Sequence, residues 1–382
     1  MVKILLEEIE KVRRASKAED LYEPLQNAIE LEHSTIPPYL TAFYSIKRGF
    51  NKEVADIILS VVRQEMLHMT IAANVLNAIG GHPVVNEPNF IPKYPGKLPG
   101  NIEPDLQVGL MPLSKALVKN TFMEIEKPEE PQTFPHEYIP PVAAREALLD
   151  VSFRLQPEYK TIGEFYQAII DKIKDLDCTA IKPQFQVVNE QWFTANLLFP
   201  ITDKKSAEDA LRIIAQQGEG VGKSPLDDQG EFAHYYKFSQ IVEGYHLYQK
   251  APSEFVYNTA QPISFDAAGI YDLVGNFKVA YYQPNSVARR MVNGFNYSYT
   301  SLLNGLHKTF NGEPSYLNTV MGLMFNLKLQ AEKMAEKKIL LEELNLDKLK
   351  EVLSQKDIEE IMEKINKQEL GVAPSFEYAL TN

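Results

Sequence analysis

The chain has 382 residues, 45% of them hydrophobic and 10% aromatic, which is longer than the roughly 100–200 residues of an ordinary domain and enough to bury a sizeable core. Its 39 Lys and Arg stand against 51 Asp and Glu, a net charge of −12. That balance excludes the broad cationic surface that nucleic acids or anionic membranes require. The single cysteine, Cys178, excludes an internal disulfide framework and any cysteine-rich metal site.

Residues 1–15 mix charge with Leu and Ile and contain no apolar leader core, and no stretch approaches the roughly 18 apolar residues of a spanning helix. A soluble, cytoplasmic chain is expected. Two strong helical patterns follow, at about 18–46 and 52–79. In the second, Val54, Ile58, Val61, Glu65, His68, Ala72, Val75 and Ile79 recur in alternating steps of four and three. This is a buried seam that is apolar except at Glu65 and His68. Pro37 and Pro38 fall inside the first pattern, but helical spacing resumes at Leu40, Phe43 and Ile46, so a kinked helix is expected there, with the carbonyls of His33 and Ser34 freed.

Twelve of the 24 prolines lie between Pro83 and Pro141. So many fixed φ angles rule out one continuous helix and predict a long crossover, about 81–160, with at most a short helix near 113–125. Further helical patterns are expected at about 162–176, 207–218 and 231–249, and the apolar stretch 178–202 is left unassigned. From Phe265 onward a second helical region includes 287–310 and 316–339, and 340–370 suggests a surface helical hairpin. The expected organisation is a bundle over 1–260 with a further helical region, 261–382, packed on it. The fold class is mainly α.

Four of the seven histidines have a Glu three residues earlier: Glu30/His33, Glu65/His68, Glu231/His234 and Glu243/His246. On a helix such pairs share a face and can offer a carboxylate and an imidazole to one ion. Glu65 and His68 sit in an apolar seam, where an unpaired carboxylate is costly and needs a counter-charge. Glu32 shares a stripe with Leu25, Ile29 and Ile36, while His33 suits a core or supporting role. A turn near Gly49 brings Glu32 and Glu65 to a similar height on antiparallel helices. Glu231 and His234 lie on a stripe with Phe238 and Ile241, and Glu243/His246 points elsewhere. A di-metal carboxylate bundle takes a lone Glu from each of two helices and Glu-x-x-His from each of the other two. The partner of Glu231/His234 is left open: Glu164, which also fits a capping box with Thr161, Glu219, or both. Gly218 to Ser224 has the look of a phosphate loop but carries three residues, not four, before Gly-Lys, and is rejected.

The segments Ile29-Glu-Leu-Glu-His-Ser-Thr-Ile-Pro-Pro-Tyr-Leu40, Gln64-Glu-Met-Leu-His68 and Ala73-Asn-Val-Leu-Asn-Ala-Ile-Gly-Gly81, with Thr161-Ile-Gly-Glu-Phe-Tyr166, Gln217-Gly-Glu-Gly220 and Glu231-Phe-Ala-His-Tyr-Tyr236, resemble a known family. It is the ferritin-like domain named after iminophenyl-pyruvate dimer synthases, found in chromopyrrolate-type synthases of bisindole alkaloid biosynthesis and in stand-alone bacterial proteins. The resemblance spans roughly residues 20–250, and the tail from Phe265 to Pro374-Ser-Phe-Glu377 is similar to that family's second helical region. It implies a ferritin-like four-helix bundle with Glu32, Glu65, His68, Glu164, Glu231 and His234 as metal ligands. Carboxylate and imidazole donors suit two metal ions, iron first and manganese by the same donors. The expected chemistry is that of an O2-dependent oxidase or oxygenase acting on a small organic molecule, with Tyr39, Tyr166 and Tyr235 lining the pocket. Coupling of imine or amino-acid-derived precursors and iron handling as a ferroxidase are the alternatives. A small-molecule substrate and O2 are the expected partners, with no nucleic acid or membrane, and a homo-oligomer is compatible with the sequence.

Overall fold

The computed structural model describes residues 3–101, 105–137, 159–177, 181–221 and 224–379. Cys178 and the late part of the expected crossover, 138–158, lie outside the described residues. The chain starts with a short strand β1 (Lys3–Leu5) and helix α1 (Leu6–Arg13), which buries Ile9 and Val12. Two long helices follow, α2 (Tyr22–Tyr44) and α3 (Lys52–Ala78), packed side by side. They realise both early periodic patterns. The connection between them turns through Gly49 at φ 88° and Asn51 at φ 46°, where the left-handed region favours glycine and asparagine.

Along α3 every seam residue from Val54 to Val75 is buried, Glu65 and His68 included. In α2 every side chain from Leu31 to Tyr44 is buried, so this helix has neighbours on all sides. Pro37 and Pro38 lie inside α2 without ending it. The missing N–H of Pro38 leaves the Ser34 carbonyl free, and the Tyr94 hydroxyl, from the proline-rich segment, donates to it at 2.7 Å.

The proline-rich segment crosses the bundle in two short 3₁₀ turns, Pro88–Phe90 and Pro99–Asn101, burying Phe90, Tyr94 and Leu98. It ends in a helical rod over 115–125: α4 (Lys115–Leu117), a π-helical turn (Val118–Phe122) and α5 (Met123–Ile125). Strand β2 (Tyr159–Thr161) pairs antiparallel with β1 and leads into α6 (Ile162–Asp175), which packs against α7 (Lys204–Glu219). Thr161 and Asp203 cap these helices with their side chains. Residues 181–202 form neither helix nor strand; the Asn74 amide holds them by donating to the Val187 carbonyl and accepting from its N–H, both at 2.8 Å.

Helix α8 spans only His234–Glu243. The helical pattern expected to run to residue 249 stops at Gly244, whose φ of 77° closes the helix in the left-handed conformation. The chain then forms the hairpin β3 (Tyr245–Ala251) and β4 (Glu254–Pro262). Glu243 and His246 therefore do not share a helix.

The C-terminal region contains β5 (Asp272–Leu273) and the helix pair α9 (Val287–Phe310) and α10 (Leu317–Glu336). Gly305 lets this pair approach closely, since a Cβ there would meet Val320 Cγ2 at 2.9 Å. The stretch expected as a surface hairpin holds the short helices α11 (Leu346–Lys350) and α12 (Gln355–Asn366), after which β6 (Leu370–Gly371) pairs parallel with β5. One contiguous set of buried side chains runs from Ile4 to Phe376 and joins α9 and α10 to α2 and α3. No helix among the described residues is long and apolar enough to cross a membrane.

Candidate metal centre

Four helical segments point acids and imidazoles at one buried point. From α2 comes Glu32, from α3 Glu65 and His68, from the residue after α5 Glu126, and from the first turn of α8 His234. All five are buried, from 1% exposed at His234 to 8% at Glu126. They form two triads that share Glu65. In each triad, Glu32/Glu65/His68 and Glu65/Glu126/His234, one donor atom per residue lies within 4.8 Å of the other two.

Both triads are built around Glu65. His68 Nδ1 lies 3.2 Å from Glu32 Oε2 and 4.0 Å from Glu65 Oε1. His234 Nδ1 lies 2.8 Å from Glu65 Oε1 and 3.2 Å from Glu126 Oε2. The two rings stack, with centroids 5.4 Å apart. The far nitrogen of each ring meets a glutamine oxygen: His68 Nε2 lies 2.9 Å from Gln217 Oε1 and His234 Nε2 3.2 Å from Gln64 Oε1. Each outer carboxylate accepts from a tyrosine hydroxyl, Glu32 from Tyr166 and Glu126 from Tyr39. Glu65 Oε2 accepts from Thr35 Oγ1 at 3.1 Å.

Electrostatics set the carboxylates apart. Burial, then the neighbouring charges of Glu126 and Glu32, push the Glu65 carboxyl well above its ordinary value. Burial also opposes ionisation of Glu32, but the hydrogen bond and charge of His68 and the Tyr166 hydroxyl outweigh it and hold that carboxyl below the ordinary value. Burial and the adjacent carboxylates push the Tyr39 and Tyr166 hydroxyls well up, so both stay protonated donors. Among the described residues no Lys or Arg contacts any of the three carboxylates. Three buried acids against two imidazoles call for cationic charge, and hard oxygen donors with imidazole nitrogens suit divalent iron or manganese. The donor set therefore fits metal binding.

Of the residues singled out in the sequence, Glu32, Glu65, His68 and His234 meet here. Glu164 and Glu231 do not. Glu164 is the N3 residue of the α6 capping box: the Thr161 N–H donates to its Oε2 at 3.2 Å and its own N–H donates to Thr161 Oγ1 at 3.0 Å. Glu231 lies three residues before α8, in a turn where its N–H donates to Asp227 Oδ1. The rule that residues i and i+3 share a face holds only inside a helix. Its side chain is 64% exposed and sits 3.4 Å from Lys237 Nζ. Glu219 closes α7, and its side chain lies outside the described residues.

Glu126 is the residue that sequence reasoning missed. Val118, Phe122 and Glu126 form a stripe in steps of four, which was a signal, but it sits in the proline-rich segment. The π turn supplies one extra residue per turn just before Glu126 and re-aims it, a device common at functional sites. Tyr39, Phe122 and Phe238 interlock edge to face, at 4.6 and 5.2 Å from Tyr39, and so fasten the rod to α2 and α8. Tyr235 packs edge-on against Tyr236, and neither Tyr235 nor Tyr39 is among the residues that line the cavity beside the donors. His33 takes the core role: its Nε2 lies 2.6 Å from the Tyr299 hydroxyl, and burial lowers the ring to about 3, keeping it neutral.

Beside the five donors lies a cavity of about 50 Å3 whose other walls include Leu31, Leu98, Ile125, Ile162 and Ile214. Among the described residues no lysine or arginine lines it.

Comparison with known proteins agrees with this architecture. A ferritin-like protein from Caulobacter vibrioides has a similar structure, with a TM-score of 0.53 and 24% identity over 82% of this chain and 95% of that one; this likeness speaks for the fold alone. The comparison with curated proteins gives no match. A family model described as Ferritin-like matches residues 25–243, which contain all five donors. Helical fold, family match and an interior cluster of acids and imidazoles agree, and the chain belongs to the ferritin-like family.

Proposed function

We propose that this protein is a non-haem di-metal oxidase or oxygenase that uses O2 on a small, largely apolar organic molecule. Glu32 and His68 would hold one ion, Glu126 and His234 the other, with Glu65 shared between them. Iron is the first choice, and manganese fits the same donors. The observation that carries the reading is the sharing of Glu65 by two buried triads, each completed by one carboxylate and one imidazole. A redox-active pair bound there supplies the electron transfer to O2 that protein side chains cannot.

The chain's own residues contribute placement. Tyr166 and Tyr39 hold the outer carboxylates by their far oxygens, and the two glutamines orient the rings. The wall formed by Leu31, Leu98, Ile125, Ile162 and Ile214 keeps the space beside the donors apolar and favours an uncharged substrate. The motif resemblance to iminophenyl-pyruvate dimer synthases supports a second reading, in which the same pocket takes imines derived from amino acids for coupling.

Metal analysis of protein produced with iron tests the proposal. About two ions per chain are expected in the wild type, and Glu65→Ala should lose both. Undiminished metal in Glu65→Ala would end the proposal. Exposure of the anaerobic Fe(II) protein to O2, with and without candidate imines, separates oxidation from coupling by the products formed.

A further inference from the structure

Lys237 is 7% exposed, an unusual place for an ammonium. It lies one helical turn after His234 on α8, and burial lowers its pKa despite the charge of Glu231 beside it. Its Nζ donates to Gln64 Oε1 at 2.6 Å. The same oxygen lies 3.2 Å from His234 Nε2. An ammonium only donates, so the group facing Lys237 must be the carbonyl end of the Gln64 amide; the NH2 end would set donor against donor. An oxygen only accepts, so the His234 nitrogen that meets it must carry a hydrogen. With Nε2 protonated, the one lone pair a neutral ring can offer is on Nδ1, the nitrogen facing Glu65 and Glu126.

We infer that Lys237 is a positioning residue for the metal centre: through Gln64 it fixes the tautomer and ring orientation of His234, so that Nδ1 is presented as a ligand. This rests on the di-metal reading proposed above. It also gives Glu231 a place. Three residues before His234, it is not a ligand but sits 3.4 Å from the ammonium that acts on the ligand indirectly. The two halves of the centre then differ. His68 is held by Gln217, and among the described residues no lysine or arginine hydrogen-bonds that amide, so the Glu126/His234 half alone depends on Lys237.

The test is anaerobic titration of the full chain with Co(II), followed by visible absorbance and calorimetry. Wild type should bind two ions; if it binds none, the di-metal reading fails and the inference with it. Given two, Lys237→Met should keep one site at wild-type affinity and weaken the other about 10- to 100-fold, the range typical when a residue supporting a metal ligand is removed. Lys237→Arg, which still donates, should restore most of the loss. In proton spectra of the Co(II) protein, wild type should show two exchangeable, hyperfine-shifted imidazole N–H signals. Lys237→Met should lose or broaden one of them, a change that mere loosening of the fold would not confine to one ring. Should Lys237→Met fail to fold, Gln64→Met removes the same link. Both sites at wild-type affinity in these variants, or both weakened equally, would overturn the inference, with wild type still binding two ions and the di-metal reading intact.

Discussion

Glu65 stands between two other acids, and the metal-free protein should be strained there. Its donor oxygen lies within 4.8 Å of those of both Glu32 and Glu126. At an effective dielectric constant of about 20, each such pair of charges repels by about 3.5 kcal/mol. His68 offsets part of this, and protonation of Glu65, which its raised pKa favours, relieves more of it. Glu65→Gln keeps the shape, removes the charge and should stabilise the metal-free protein by about 1–4 kcal/mol, on the order of one such repulsion less the imidazole attraction given up. For a chain of this length that is a rise of about 1–5 °C in melting temperature. The pH dependence has a definite sign. A carboxyl whose folded pKa lies above the unfolded one binds more protons in the native state, so its contribution is full below the unfolded value and is lost as pH rises through the folded one. Metal-free wild type should therefore lose stability upward through that window, and Glu65→Gln should lack this component. Calorimetry of chelated and Fe(II)-loaded samples over pH 4–8 measures both effects. Fe(II) at about 100 times its Kd should add about 2.7 kcal/mol to wild type and little to the variant. A variant that melts no higher than metal-free wild type, or still gains from Fe(II), would refute the electrostatic account.

Other outcomes follow from the placement of the remaining acids. Glu231→Gln should keep both ions and change stability by less than about 1 kcal/mol, because an exposed partner makes a weak ion pair; elemental analysis and a melt check this. Glu164→Ala should also keep both ions while costing about 1 kcal/mol from the lost capping box, measured in the same way. Glu126→Ala should lose one ion and leave the Glu32/His68 site occupied, and loss of neither ion would remove Glu126 from the centre. Glu343 is buried at the start of α9, accepting from the Ala288 and Leu340 N–H groups and from Lys337 at 2.7 Å. Burial pushes its carboxyl up, but these donors outweigh it and hold it below its ordinary value. Glu343→Ala should cost about 1–3 kcal/mol at neutral pH. The loss should shrink as acid passes through the depressed folded value, because a lowered carboxyl contributes fully only above its unfolded one.

The α2–α3 pair was legible because a four-three repeat over seven turns has few structural solutions, and two polar residues inside such a seam mark a buried site. Glu32 followed from the same periodicity. Glu231 misled because Glu-x-x-His implies a shared face only where a helix exists, and the turn from Asp227 to Gly230 delays α8 until His234. The overlong helix to 249 has a related cause: the apolar pattern continues past Gly244, but that residue adopts the left-handed conformation that ends helices. Glu126 was hidden for another reason. Among the described residues of the crossover there is no long helix, as proline density predicts, but eleven residues are enough for a rod that delivers one donor to the cluster. The polarity of the Lys237 contact with Gln64 was beyond reach, since 173 residues separate the partners.

The carbonyl that Pro38 leaves open on α2 ties this helix to the proline-rich segment. Two residues from Glu32, the backbone of the donor-bearing helix is completed by a hydroxyl 60 residues away in sequence. Helix α2 cannot close its own ladder there, and in the folded chain the proline-rich strap does so instead. Assembly of the centre is thus a joint act of helix and strap. A swap that transplants α2 and α3 into another bundle without the strap carries over the acids but not the frame that holds them.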